Sequence, residues 1–448
     1  MYKIILALRY LFKKRISYLA LSAVTLCVFI VVVVMTVMTG LVNNFKQENH
    51  QFVGDCVLTS PSLVGFPYYQ QFLEILDNAP FVHAASPVIK NYALVTPRGS
   101  KRSRGVQIMG IDPARHSKVT AFAQSLHYNR SNPENVFTSA NDHNKPGCVV
   151  GIDLWLSRGP QGTYNFSPTP DIASLIISAF PLTAKGALAT AGASEVNTKT
   201  FEFTDISRTG IAKVDGTYIY IPFEQAQLLC MSAQQKRTNA IHIKFTSDTT
   251  PEQGNAKIAS LWRDFLDKKT DDPYAYLLKN VSAQTWKQNR RSYIAAMEKE
   301  KTMMSVLFSL VALTTVFIVF VVFYMIIAHK SKDIGILKSI GAPALAIINI
   351  FFLFAFMIAA IGSTLGIALG IIFLGKMNQV ENWLFEHFGF QIWDRSIFAI
   401  EDIPNQIDIT LLAFIAAFAI LACLAGAFIP TIQAVRLKPA QILQVNQV

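Results

Sequence analysis

Four stretches of this chain carry no charge for longer than a bilayer is thick: Ile16 to Asn43, Thr302 to His329, Ser339 to Gly375 and Ile409 to Val435. About 20 consecutive apolar residues cross the hydrocarbon core as a helix. The third stretch is long enough to span with tilt or to continue along an interface. Four such helices are too many for one soluble core, so the pattern predicts a membrane protein with a mainly α transmembrane region of four helices. Lys13, Lys14 and Arg15 precede the first stretch as they would in a secretion signal. Its apolar run is too long for one, however, and no small-residue cleavage site closes it, so it reads as a retained anchor.

Between the first two spans the period changes. "CVVGI", "TKTFEF", "GTYIYIP" and "NAIHIKF" read as strands. "PYYQQFLEILDNA" and "AKIASLWRDFLDKK" place apolar residues three and four apart, as amphipathic helices do. Residues 44–301 are therefore expected to form a large α+β domain, with stalks and room for two lobes. Pro160 to Lys199 is rich in Gly, Pro, Ser, Thr and Ala and is expected to hold an extended loop or hairpin. "RGSKRSRG", Arg98 to Gly105, has the character of a solvated hairpin tip, with a contact to anionic lipid or a partner as the alternative.

Charge then sets the orientation, because short cytoplasmic loops collect Lys and Arg. Lys3, Arg9, Lys13, Lys14 and Arg15 lie before the first span. Lys330, Lys332 and Lys338 follow the second, and Arg436 and Lys438 follow the fourth. Segment 376–408 is the reverse, with Lys376 and Arg395 against Glu381, Glu386, Asp394, Glu401, Asp402 and Asp408. The expected order is a cytoplasmic amphipathic N-terminus (1–15), a span (16–43), the exported domain (44–301), a span (302–329), a cytoplasmic helix (330–343), a span (344–375), an external loop (376–408), a span (409–435) and a cytoplasmic tail (436–448). The net charge of +11 is mostly this topology, which argues against nucleic acid as a partner.

Reactive constellations are sparse. Cys27 and Cys423 fall in spans, and Cys56, Cys148 and Cys230 in the exported domain, with no CxxC pair and an open disulfide state. The histidines lack metal-ligand spacing, and the carboxylates are scattered singly, so neither a metal site nor a catalytic residue is nominated. "GIIFLGKM", Gly370 to Met377, approaches a phosphate loop, but Met377 stands where a hydroxyl must hold magnesium. No nucleotide hydrolysis by this chain is expected. Gly362, Gly366 and Gly370 recur every fourth residue and offer one helix face for close approach, within the subunit or between subunits.

The segment "KSKDIGILKSIGAP" interrupts two apolar stretches with charge. At 100° per residue, Ile334, Ile336, Leu337 and Ile340 fall on one arc, with Ser331, Lys332, Gly335, Lys338 and Ser339 opposite. Gly341 and Pro343 end such a helix. This segment resembles the cytoplasmic motif of permease subunits in mechanotransmitting ABC transporters, the superfamily of the lipoprotein-releasing permeases LolC and LolE, of MacB and of FtsX. Lys330, Lys332, Asp333, Ile334, Ile336, Leu337, Lys338, Gly341 and Ala342 match its pattern, and the resemblance implies a coupling helix, Gly335 included, docked in a separate ATPase.

Further pieces are similar to the lipoprotein-releasing branch in the same order: "LALRYLFKKR", "GVQIMGIDPA", "GTYIYIPFEQAQLL" after Gly210 and Asp215, "TWKQNRRSYIAAMEKEKTMM" and "IPTIQAVRLKPAQIL". After "GIDLWLSRG" the chain departs from the branch, with "PQGTYNFSPTPDIAS" intervening. The resemblance implies an inner-membrane, multi-pass permease dimer, made with a second copy or a paralogue, beside a LolD-like ATPase dimer that binds the ATP and Mg²⁺. This chain itself would bind no cofactor and catalyse nothing. The cargo implied is a lipoprotein, drawn from membrane lipid and passed to a LolA-like periplasmic carrier chaperone. Met35, Met38, Met303 and Met304 are candidate liners of its cavity, where flexible methionine suits varied acyl chains. Phe180, Pro181 and Leu182 are the candidate chaperone hook. Two alternatives are a MacB-like exporter of peptides, drugs or toxins, for which Met1 to Arg15 leaves no room for a fused ATPase, and an FtsX-like regulator of a cell-wall hydrolase, whose exported domain would be smaller.

Overall fold

The computed structural model describes residues 15–139, 145–159, 163–188, 196–231, 236–329, 339, 341, 343–389 and 408–436. Its longer helices are α1 (Arg15–Val53), α2 (Tyr69–Asp77), α3 (Pro113–Val119), α4 (Phe223–Cys230), α5 (Pro251–Lys268), α6 (Arg291–His329), α7 (Ala344–Phe388) and α8 (Ile409–Arg436). The strands are β1 (Cys56–Thr59), β2 (Val82–Pro97), β3 (Arg104–Ile111), β4 (Gly147–Gly151), β5 (Ser174–Ala179), β6 (Asn197–Ser207), β7 (Tyr218–Pro222), β8 (Ala240–Phe245) and β9 (Ser282–Thr285). They divide into a helical unit (15–43, 296–389, 408–436) and a mixed unit (44–295).

In the helical unit each of the four apolar stretches contributes most of its length to a helix long and apolar enough to cross a membrane, the third from Ala344 onward. The helices outrun the apolar runs. At about 1.5 Å per residue, the 45-residue α7 is far longer than a hydrocarbon core of about 30 Å. The segment from 376, expected as a loop, begins as helix because neither Gly nor Pro interrupts it before Gly389. There φ turns to +64° and the N–H bonds back to Phe385, ending α7 as glycine caps do.

In the mixed unit all nine described strands belong to one sheet, and β2, 16 residues long, joins its closed part to its open extension. It pairs with β3 and β5, and the ring β2–β3–β7–β4–β6–β5 closes on itself. Its N-terminal half pairs with β8, which continues through β1 to β9. Two lobes thus share one strand. Ile108, Val150, Ile177, Phe201 and Ile219 fill the closed ring. On its outer side Tyr218 and Tyr220 pack with Phe52, Phe122 and Trp286. Successive residues of a strand face opposite ways, so burial on both faces explains why "YIYI" and "CVV" are apolar without alternation. In the other lobe Phe72 of α2 meets Trp262 of α5 edge-on at 4.8 Å between ring centroids, over a core that includes Leu58, Ile241 and Phe265. Cys56, Cys148 and Cys230 are buried free thiols.

Candidate functional site

Within the helical unit, α1, α6 and α8 line an open apolar cavity of about 530 Å³, inside the ~300–1,000 Å³ range of small-ligand sites. Val24, Val28, Val31 and Met35 of α1 face Phe308 of α6 and Phe414 and Phe418 of α8 across it. Ser305 and Ser309 also line it, but each hydroxyl donates back to a carbonyl one helical turn earlier (2.9 Å to Lys301 and 2.9 Å to Ser305), so the wall presents almost no free polarity. Of the four methionines singled out in the sequence, Met35 lines this cavity. Met38 is buried on α1, Met303 is exposed and Met304 half-buried, and none of the three lines it. The aromatic liners carried no sequence signal, because helices apolar on every side do not reveal which face closes on which.

The glycine stripe of α7 lies against α1 of the same chain. A Cβ at Gly362 would stand 2.9 Å from Val24 Cγ1, at Gly366 2.8 Å from both the Thr25 carbonyl oxygen and Val28 Cβ, and at Gly370 2.8 Å from Val32 Cγ1. Gly426 of α8, which sequence reasoning passed over, meets α6 the same way, 2.7 Å from the Val316 carbonyl. Missing side chains let these helices approach closely where no hydrophobic force drives them together.

The roots of α1 and α6 are tied together within the mixed unit. Arg290 donates from Nε to Asn49 Oδ1 at 2.8 Å in a buried site, and its guanidinium lies over the rings of Phe52 (5.0 Å) and Tyr293 (4.4 Å). His50 stacks on Trp286 at 4.7 Å and holds Asp55 at 2.6 Å. Ahead of Trp286, Thr285 and Gln288 form a reciprocal capping box. Asn289 donates to Gln284 at 3.2 Å. Glu48 rests against Gly210, where a Cβ would come within 2.5 Å of its carboxyl oxygen. Asp215 accepts from the N–H groups of Thr209 (2.8 Å) and Gly210 (3.0 Å) and so fixes that turn. Burial raises the Asp215 carboxyl to about 6 even so.

Phe180 is exposed just past β5, Pro181 is buried and Leu182 half-buried. Arg237, itself buried, clamps the turn that follows, donating to the carbonyls of Leu182 (2.6 Å) and Thr183 (3.2 Å). Gly186 at φ +82° lets Thr183 and Ala187 close the turn. The candidate coupling residues Lys330, Lys332, Asp333, Ile334, Gly335, Ile336, Leu337, Lys338 and Ala342 lie outside the described residues. Gly341 adopts φ +93°, and Pro343 caps α7.

Two family models cover most of this architecture. Residues 17–261 match the MacB-like periplasmic core domain, and residues 305–439 match the FtsX-like permease C-terminal domain. The chain belongs to the MacB/FtsX family of permeases. It is a LolC/LolE-like member, a multi-pass membrane protein with a large extracytoplasmic domain. The lipoprotein-releasing system transmembrane protein LolC of Neisseria meningitidis serogroup B is 22% identical over 451 residues, 98% of each chain. LolC of Xylella fastidiosa is 20% identical over 454 residues, again 98% of each. LolE of Haemophilus influenzae is 21% identical over 426 residues, 92% of this chain and 91% of that one.

Proposed function

We propose that this chain is the transmembrane subunit of a lipoprotein-releasing ABC transporter of the inner membrane. The observation that carries this is end-to-end similarity to LolC proteins, transmembrane region and exported domain together. A separate ATPase dimer binds ATP and Mg²⁺ and docks on segment 330–342. A second permease, identical or paralogous, completes the transmembrane part. The lipid anchor of the cargo enters the apolar cavity lined by Met35 and Phe418, which offers hydrocarbon contact without hydrogen-bond demands. The tied roots of α1 and α6 make the exported domain follow the motion of those spans. The segment from Phe180 to Leu182, held by Arg237, meets a periplasmic carrier.

Purification from native membranes tests this. The chain is expected to bring down an ATPase, a permease partner and acylated protein, and to turn over ATP only when the ATPase is present. Turnover by the isolated chain, or a complex without ATPase and acylated protein, would overturn the proposal.

A further inference from the structure

The tip of the β2–β3 hairpin overhangs a second cavity in the mixed unit, of about 660 Å³. Val95, Leu156, Leu175 and Trp155 contribute apolar lining, and Arg102 and Arg104 stand at its edge. Trp155 is held flat on Phe203 at 4.3 Å, with Nε1 donating to Asp171 at 3.2 Å. The one carboxylate lining this cavity among the described residues, Asp153, is already engaged by Arg158 (2.7 Å) and by the Tyr164 hydroxyl (2.6 Å). The tip cations are not. Arg98, Lys101, Arg102 and Arg104 are all exposed, and no described carboxylate pairs with any of them. Arg104 makes a single long bond, 3.4 Å, to the Leu154 carbonyl.

Four like charges crowded at one end of the hairpin repel each other, and an anionic partner relieves that repulsion. The lining beside them mixes polar Ser100, Ser157 and Arg158 with apolar Trp155, Leu156 and Leu175, so it suits an anionic partner that also carries apolar side chains. A membrane surface fits poorly, because residues 98–105 contain no aromatic or aliphatic side chain to insert between lipids. We propose that this cleft is a docking site for an acidic, partly apolar peptide segment of a partner protein on the exported side. Its carboxylates meet Arg102 and Arg104, and its apolar side chains lie along Trp155 and Leu156. The proposal holds whatever cargo the transporter carries.

The full-length protein in nanodiscs of neutral lipid tests it, using a short fluorescein-labelled peptide of alternating Glu and Leu. Saturable binding that weakens as salt is raised is expected. Arg102→Glu combined with Arg104→Glu should weaken it by about tenfold or more, as expected when two exposed ion pairs become repulsions. Trp155→Phe should weaken it without changing the salt dependence. The thermal midpoint of the charge-reversed protein checks that it still folds, and Arg102→Gln with Arg104→Gln provides a gentler version of the same change. Three results would overturn the proposal: no binding of the Glu–Leu peptide, equal binding of a Lys–Leu peptide, or undiminished binding after both charge changes. Binding of anionic vesicles with no peptide binding would point to lipid instead and equally defeat it.

Discussion

Single residues decide where helices touch and where the exported domain yields to acid. Gly366 is the most crowded of the three α7 glycines against α1, since a Cβ there would press on both the Thr25 carbonyl and Val28. Gly366→Val should therefore force the helices apart and cost roughly 1–3 kcal/mol or more. Gly375→Ala, with nothing within 4 Å of the added atom, should be neutral or raise stability by up to about 1 kcal/mol through helix propensity. Thermal midpoints of the detergent-solubilised chain compare the two, and equal midpoints would mean the stripe does not hold α1. In the mixed unit His116 is enclosed by Ser86, Phe122, His242 and Lys90. Burial, and then the charge of Lys90, pushes its imidazole down to about 3. The unfolded chain, near 6.5, binds more protons over that interval, so stability is lost as pH falls from 6.5 towards 3, by at most about 1.4 kcal/mol per pH unit for this group. His242 acts in the same direction. Asp215, raised to about 6, acts in the opposite one, so only a comparison of variants isolates His116. His116→Gln should flatten the acid limb of midpoint against pH; an unchanged slope would show that His116 does not carry it.

Elements were legible from sequence wherever burial was one-sided or total. Helices α2 and α5 show the three-and-four spacing because only one face meets the sheet. The strands β4 and β7 show unbroken apolar runs because both faces are covered. Helix ends and partners were less legible. A span that is apolar all round does not announce which side meets α7 and which lines a cavity, so nothing in the pattern marks Phe308, Phe414 and Phe418, which share a lining with Met35. Pairing across long separations is likewise invisible to local pattern. Asn49 and Arg290 are 241 residues apart in sequence, and Glu48 likewise meets Gly210 from far along the chain. The Asn49–Arg290 tie is the strongest test at this scale. Arg290→Met keeps an unbranched apolar stem but leaves the buried Asn49 oxygen without its donor, which should cost about 1–3 kcal/mol. Hydrogen exchange should then rise at both 45–53 and 286–294. An increase confined to 286–294 would mean that the two roots are not coupled.

For the whole molecule, if the proposed ATPase docks on segment 330–342, the question is how its nucleotide cycle would reach a cavity and a domain within this chain. The covalent route is short: segment 330–342 leads directly from α6 into α7, and α6 begins at the root tied by Arg290 to Asn49. Motion imposed at the segment therefore enters two spans at once. The arc of Ile334, Ile336, Leu337 and Ile340 is the face expected to be wedged against the ATPase and the base of the spans. A carboxylate at Leu337 would lie there unpaired, at a cost of several kcal/mol unless the contact opens. Pro at Gly335 would break the helix, at about 3 kcal/mol or more. Leu337→Asp and Gly335→Pro should leave insertion and the exported fold intact while weakening ATPase binding or separating hydrolysis from release. Lys332→Ala, on the opposite arc, should do less. Release of a lipid-anchored protein from proteoliposomes, measured alongside ATP hydrolysis, distinguishes the three. If both Leu337→Asp and Gly335→Pro assemble and release cargo at the unsubstituted rate, the charges in this segment serve only to orient the chain in the membrane.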